Sequence, residues 1–157
     1  MTITHHPKEE PMLSKIRQDM QDAMRKKDMV AANALRMVLS AVSYAEVAKK
    51  GKLDEGEVIG VIQKAVKTRK ESIEEFKKGG RQDLVDKETK ELAVLERYLP
   101  QQLSAADMEA LVAKVIAEVG ATSMKDMSKV MKEIMAKHKG QVDGKVVQQF
   151  VVAKLKA

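Results

Sequence analysis

Residues 124–147 read M-K-D-M-S-K-V-M-K-E-I-M-A-K-H-K-G-Q-V-D-G-K-V-V. At 100° per residue, one side of a helix carries Met124, Met127, Val130, Met131, Ile134, Met135 and His138, and the opposite side carries Lys125, Lys129 and Lys132. Gly140 ends this helix, and Asp143-Gly144 begins another. The stretch therefore predicts two packed helices joined by a basic turn, which bears Lys137, Lys139 and Lys145.

Upstream, the segment Y-L-P-Q-Q at residues 98–102 is the clearest domain boundary. A proline ends the helix before it, and Ser104 to Asp107 has the form of a capping box for the helix after it. Ser123 to Asp126 repeats this signal before the lysine-bearing helix. Three short amphipathic helices then follow one another, so residues 100–157 are predicted to form a small three-helix bundle.

The chain before this boundary has helical periodicity throughout residues 12–99. Ser14, Asp28 and Asp54 are candidate caps, and a fourth helix begins at about Asp83. The first two helices are either antiparallel neighbours or one longer helix bent at Asp28. No sustained β-alternation occurs, so the sequence predicts an all-α protein of about four helices plus three, with a flexible leader at residues 1–11.

The composition excludes several classes of function. The 157 residues include no Cys, which excludes disulfides, thiolate catalysis and cysteine metal sites. No run approaches the roughly 20 apolar residues of a membrane span, and the first residues include no apolar signal region. These features predict a cytoplasmic protein with no membrane partner. With no Trp, two Tyr and two Phe, the chain lacks the aromatic platforms on which single-stranded nucleic acids stack.

Positive charge is concentrated near the end of the chain. The net charge is +6, and residues 121–157 hold eight Lys and Arg against three Asp and Glu. A basic helix face of this kind is either a solvated surface or a binding surface for phosphates.

Motifs of catalysis are absent from the sequence. It has no nucleophile elbow, phosphate-binding glycine loop or dinucleotide fingerprint. His5 and His6 lie in the leader, and His138 falls on the packing side of its helix, where a cation would suit the C-terminal dipole. The paired carboxylates are interpreted as solvated or as paired with Lys70, Lys87 and Lys90; they are Glu74 with Glu75, Asp83 with Asp86, and Glu88 with Glu91. We therefore predict no catalytic residue, no metal site and no cofactor.

Five stretches carry a family resemblance. They are V-K-T-R-K-E-S at 66–72, F-K-K-G-G-R-Q-D-L-V at 76–85, K-E-T-K-E-L at 87–92, Y-L-P-Q-Q-L-S at 98–104 and G-A-T-S-M-K-D-M-S-K-V-M at 120–131. In this order they resemble the YqeY family, from Leu13 to Leu155. The resemblance implies an N-terminal helical domain and a C-terminal domain similar to the tail of the GatB subunit of tRNA-dependent amidotransferase. That tail is thought to contact tRNA, while the amide-forming chemistry lies in other domains.

The chain departs from the family pattern at two positions. Ser128 stands where the family usually has glycine, and Gln141 stands where it usually has a basic residue. The second departure removes one side chain that could contact phosphate at the turn.

Three hypotheses follow. The first is a noncatalytic protein that associates with tRNA or another RNA, with phosphates contacted by Lys125, Lys129, Lys132, Lys137, Lys139 and Lys145, together with Arg69, Lys70 and Arg81. The second is an adaptor that docks on an amidotransferase or another translation component through Met-rich helices. The third is a carbon–nitrogen ligase with glutamine as amide donor, a label that family members inherit through the shared tail.

Overall fold

The computed structural model describes residues 11–156, which form seven α-helices and no strand. The predicted all-α fold is confirmed. Within this range no helix combines the length and apolar character that crossing a membrane requires. The predicted leader lies outside the described residues except for Pro11, and so do His5 and His6. The chain divides between Tyr98 and Leu99 into two compact units, called here the first unit and the second unit.

The first unit consists of α1 (Pro11–Arg25), α2 (Met29–Lys49), α3 (Glu55–Lys78) and α4 (Gln82–Glu96). α1 begins at Pro11, before the predicted cap at Ser14. Between α1 and α2, Lys27 has a φ of 60°, and the Asp28 side chain accepts a hydrogen bond from the Ala31 N–H at 3.2 Å. The left-handed turn and the new cap make α1 and α2 two separate helices that pack together, rather than one bent helix.

α3 begins with a reciprocal cap. The Glu57 N–H donates to Asp54 Oδ1 at 2.8 Å, and the Asp54 N–H donates to Glu57 Oε1 at 3.1 Å. These two bonds satisfy donors that a helix start would otherwise leave unpaired, and they confirm the predicted start of the third helix.

The second unit consists of α5 (Ala105–Val119), α6 (Met127–Lys137) and α7 (Gly144–Lys156), with a short 3₁₀ turn (Met124–Asp126) before α6. The Asp107 N–H donates to Ser104 Oγ at 3.1 Å, which confirms the predicted cap of α5. The three helices enclose a core formed by Met108, Val112, Val115, Val130, Ile134, Val142, Val147, Val151 and Leu155. The apolar side of the sequence stretch at 124–147 supplies the α6 part of this core. The domain bounds 12–99 and 100–157 stay a prediction, taken up in the Discussion.

The end of the first unit is tied to its beginning. Tyr98 donates its hydroxyl hydrogen to Asp19 Oδ2, and the ammonium of Lys15 lies 5.8 Å from the centre of the Tyr98 ring. The ring is half-buried. Partial burial, followed by the hydrogen bond to Asp19, raises the pKa of Tyr98 well above 10.0. The protonated phenol therefore fastens the chain after α4 to α1.

This bond predicts a loss of stability at alkaline pH. The folded-state pKa of Tyr98 exceeds the unfolded-state value, so its contribution is complete below about pH 10 and falls as the pH rises above that value. Tyr98→Phe is expected to cost about 1 kcal/mol at pH near 8. The difference between Tyr98→Phe and the parent chain should shrink at pH near 11, as measured by urea denaturation.

Tyr44→Phe is the matched control, because Tyr44 is 79% exposed. Tyr44→Phe removes the other phenol of the chain. In the same denaturation series, its free energy of unfolding should stay close to that of the parent chain at both pH values. If the free energy of unfolding depended on pH equally in Tyr98→Phe and in Tyr44→Phe, the assignment of the alkaline loss to Tyr98 would be contradicted.

Candidate nucleic-acid interface

The start of α6 is built around one carboxylate. Asp126 Oδ2 accepts hydrogen bonds from the backbone N–H groups of Thr122 at 2.9 Å and Ser123 at 3.3 Å. These two bonds, with a smaller contribution from the charge of Lys129, lower the pKa of Asp126. Lys125 therefore lies on a hydrogen-bonded 3₁₀ turn rather than inside the helix, which begins two residues later than Lys125, at Met127.

All six lysines predicted to contact phosphates in the second unit are exposed. Two of them have partners. Lys129 Nζ lies 3.2 Å from the Val119 carbonyl oxygen, at the C-terminal end of α5, and Lys137 Nζ lies 2.6 Å from Glu133 Oε1. The hydrogen bond to Glu133 raises the pKa of Lys137. These two lysines therefore have structural contacts of their own.

The other four lysines differ from these two. They are Lys125, Lys132, Lys139 and Lys145. Within residues 11–156, no carboxylate or carbonyl oxygen binds the side-chain ammonium of any of these four. Their charges are available to an external anion.

The turn after α6 is held by a network of hydrogen bonds. Gly140 has a φ of 85°, a left-handed conformation that favours glycine. Leu103 donates its N–H to the Gln141 carbonyl at 2.8 Å, and the Gln102 side chain donates to the Gly140 carbonyl. His138 Nδ1 lies 3.3 Å from Gln141 Oε1. Lys139 therefore lies on a turn whose backbone is fixed against the segment that precedes α5.

The two departures from the family pattern have different surroundings. Gln141 is half-buried, and its side chain faces His138 within hydrogen-bonding distance. Ser128 is exposed on α6. The residue at position 141 thus has a structural contact in this chain, whereas the hydroxyl at position 128 lies on the surface.

Arg69 is not on the surface, which corrects its prediction as a phosphate contact. It is 6% exposed, and its Nη1 binds both Glu91 and, at 2.8 Å, Glu88. Glu91 is 4% exposed, so the interpretation of Glu88 and Glu91 as a solvated pair is also wrong. The guanidinium lies inside because the two carboxylates of α4 neutralise it there, as burial of a charge requires.

The remaining predicted contacts of the first unit, Lys70 and Arg81, are exposed. Arg81 donates from Nε and Nη2 to the two oxygens of Asp83, at 3.1 Å and 3.0 Å. These bonds lower the pKa of Asp83, chiefly through the hydrogen bonds from the guanidinium. Lys70 has no side-chain partner among the residues that the structure describes.

The sequence did contain a signal for the buried ion cluster. Arg69 has the helical spacing of the buried residues Ile62, Val66 and Ile73 on α3. Glu88 lies on the same line of α4 as its leucines. A charge in register with an apolar stripe indicates a buried pair whenever a second helix supplies the opposite charge.

No group of three or more His, Cys, Asp or Glu side chains in residues 11–156 is arranged to hold a metal ion.

Comparison with known proteins gives several relatives. The chain is 34% identical over 126 residues to "Altered inheritance of mitochondria protein 41, mitochondrial" of Kluyveromyces lactis, covering 80% of this chain and 68% of that protein. The protein of the same name from Lachancea thermotolerans is 34% identical over 110 residues, 68% of this chain and 59% of that protein. The one from Saccharomyces cerevisiae is 34% identical over 136 residues, 85% and 71% respectively.

These relatives correct the predicted location. Their names describe mitochondrial proteins, which contradicts the expectation of a cytoplasmic one. That expectation rested on the absence of cysteine and of an apolar signal region. An apolar region marks secretory signals, whereas mitochondrial transit peptides are amphipathic and basic, so its absence does not separate the two compartments.

The family model described as "Yqey-like protein" matches residues 13–155, nearly the whole length of the chain and both units. The sequence resemblance is confirmed, and the chain belongs to the YqeY family.

Proposed function

We propose that this protein is a noncatalytic RNA-associated protein whose second unit binds the phosphates of tRNA or another RNA. One observation carries the proposal: Lys125, Lys132, Lys139 and Lys145 are exposed and have no side-chain partner among the described residues. An exposed ammonium that no carboxylate neutralises is available to phosphate oxygens, and several together give affinity without reading sequence. The resemblance of this region to the tail of GatB supports the same assignment.

The arrangement of these lysines also supports the proposal. Lys125 and Lys132 belong to the 3₁₀ turn and the helix that pack their apolar side into the core, and Lys139 lies on the hydrogen-bonded turn at Gly140. Side chains on a fixed backbone lose less conformational entropy when they bind than side chains on a mobile segment do.

A filter-binding titration with tRNA tests the proposal. Lys125→Gln/Lys132→Gln is expected to lower the affinity about tenfold at low salt. Between about 50 mM and about 200 mM salt, the slope of log affinity against log salt should become shallower by roughly 0.7 to 0.9 for each lysine that contacts a phosphate. Lys139→Gln/Lys145→Gln should give a loss of similar size.

The matched control removes two other charges from the same unit. Lys114 lies 3.9 Å from Glu118, and Lys154 lies 3.9 Å from Glu109, so both are already paired. Lys114→Gln/Lys154→Gln should change the affinity much less. Negligible binding by the parent chain at low salt would refute the proposal, and so would equal losses in all three variants.

A further inference from the structure

A groove in the first unit lies between α2 and α3, with α4 at its base. Its volume is about 960 Å³, and it is open to solvent rather than enclosed. The apolar part of its wall consists of Ala34, Met37, Val38, Ala41, Tyr44, Ala45, Val61, Ala65 and Leu95. α4 packs extensively against both other helices, whereas α2 and α3 contact each other less, which leaves the space between them open.

α2 is apolar on two sides. One side is buried and includes Leu35, Val38 and Val42. Another side carries Met37 and Tyr44, which are 60% and 79% exposed, with Ala41 between them at helical spacing. An apolar surface that continues well past the buried side of a helix is typical of a helix that is covered there as well. The groove side of α2 therefore lacks a covering element within the first unit.

The charged groups at the base of the groove are bound to one another. Its carboxylates, Glu88 and Glu91, both bind Arg69, and Arg69 Nη2 also contacts the sulfur of Met37 at 3.2 Å. Among residues 11–156, no other acidic residue lines the groove. The base is therefore a largely apolar surface whose one guanidinium and two carboxylates leave a formal charge of −1.

The rim of the groove is cationic. Arg36, Lys64 and Lys87 line it and are exposed, and no acidic side chain among the described residues pairs with them. An occupant that complements this surface combines an apolar face with acidic flanks.

The length of the groove fits a helix. It extends along α2 from Asn33 to Ala45 and along α3 from Val61 to Ser72. At 1.5 Å per residue these segments span roughly 18 Å and 16 Å, about three turns of an α-helix. Amphipathic helices bind to grooves of this kind through apolar residues at positions i, i+3 or i+4, and i+7.

We propose that the groove between α2 and α3 is a docking site for an amphipathic α-helix of a partner protein. The apolar face of that helix covers Met37, Ala41 and Tyr44, and acidic residues on its flanks meet the cationic rim. The site lies in the first unit and uses none of the lysines assigned to RNA, so it does not depend on the proposed RNA binding.

Selection from a displayed peptide library tests this proposal. Helix-forming peptides of about 18 residues, randomised at every surface position, are selected on the full chain. The enriched peptides should carry apolar residues at i, i+3 or i+4, and i+7, flanked by Asp and Glu. The affinity of a labelled enriched peptide, measured by fluorescence anisotropy, should fall about tenfold or more in Ala41→Glu and in Tyr44→Ala.

Val47→Glu is the matched control. Val47 lies on the same helix and is 76% exposed, but it does not line the groove. This variant should keep the full affinity, with circular dichroism showing that all three variants are folded. The triple variant Arg36→Glu/Lys64→Glu/Lys87→Glu should no longer bind peptides with acidic flanks more tightly than peptides with neutral flanks.

Several results would overturn the proposal. They are the absence of enrichment, affinity that survives Ala41→Glu, and an equal loss in Val47→Glu. A dimer of the parent chain that sedimentation detects and that Ala41→Glu abolishes would assign the groove to a second copy of this chain. A loss of tRNA binding in Ala41→Glu would assign it to nucleic acid instead.

Discussion

Arg69→Met is expected to destabilise the first unit by about 3–5 kcal/mol. The substitution keeps most of the side-chain length but leaves Glu88 and Glu91 side by side without their cation. Glu91 is 4% exposed, so its charge has no access to water that would compensate for the loss. Urea denaturation followed by circular dichroism measures the change, because the slope of the transition reports whether the same surface is exposed on unfolding.

A double-mutant cycle separates the ion pair from the packing of the side chain. Arg69→Met/Glu91→Leu removes both buried charges, and the Glu88 side chain is 20% exposed and retains access to solvent. The double variant should recover most of the stability, because an apolar pair replaces a buried ion pair at little net cost. Glu91→Leu alone should cost less than Arg69→Met, since Arg69 keeps Glu88.

Lys70→Met is the control for this cycle. Lys70 neighbours Arg69 in the chain but is exposed, so its replacement should change stability by no more than about 0.5 kcal/mol. A cost below about 1 kcal/mol for Arg69→Met, or a double variant less stable than either single one, would refute the structural role of the cluster.

Ile134→Ala is expected to cost about 2–5 kcal/mol in the second unit. Ile134 is fully buried in the core between the three helices, so truncation leaves a cavity. A unit of this size has a total stability of only about 3–9 kcal/mol. The variant should therefore lose most of the stability of this unit, and hydrogen exchange should show fast exchange throughout α5, α6 and α7.

The same experiment tests whether the two units are separate domains, as the bounds 12–99 and 100–157 propose. In Ile134→Ala the amides of α1 to α4 should keep their protection. Ile62→Ala, at a fully buried position of α3, should give the reverse pattern. Equal acceleration of exchange in both units by either variant would mean that the chain unfolds as one cooperative domain.

Features fixed by neighbouring residues were predictable from the sequence. The caps at Asp28, Asp54 and Ser104 lie where their spacing to the following helix predicts, because a cap depends on residues at most three positions away. The residue at which α2 ends was harder to predict. Lys50, rather than the neighbouring Gly51, takes the left-handed conformation, with a φ of 61°. Several turn conformations can end the same helix, so the periodicity did not select the residue.

Features that depend on the packing of distant helices were not predictable in the same way. Arg69 and Glu91 are 22 positions apart, and nothing local brings α4 against that side of α3. The contact of Lys129 with the Val119 carbonyl, ten positions away on another helix, is a similar case, whereas the pair of Lys137 with Glu133 has the i,i+4 spacing that a sequence shows. Only the folded chain shows the contact of Lys129 and the groove between α2 and α3.

The turn at Gly140 has a consequence for the order in which the second unit folds. Its bonds join Gln102 to Gly140, 38 positions apart, and Leu103 to Gln141. Closing a loop of that length costs roughly 3 kcal/mol of chain entropy, which isolated helices do not recover. A growing chain therefore cannot form the turn around Lys139 until Gln141 has left the ribosome. Until then α5 and α6 lack these bonds, and helices of 15 and 11 residues are only marginally stable on their own.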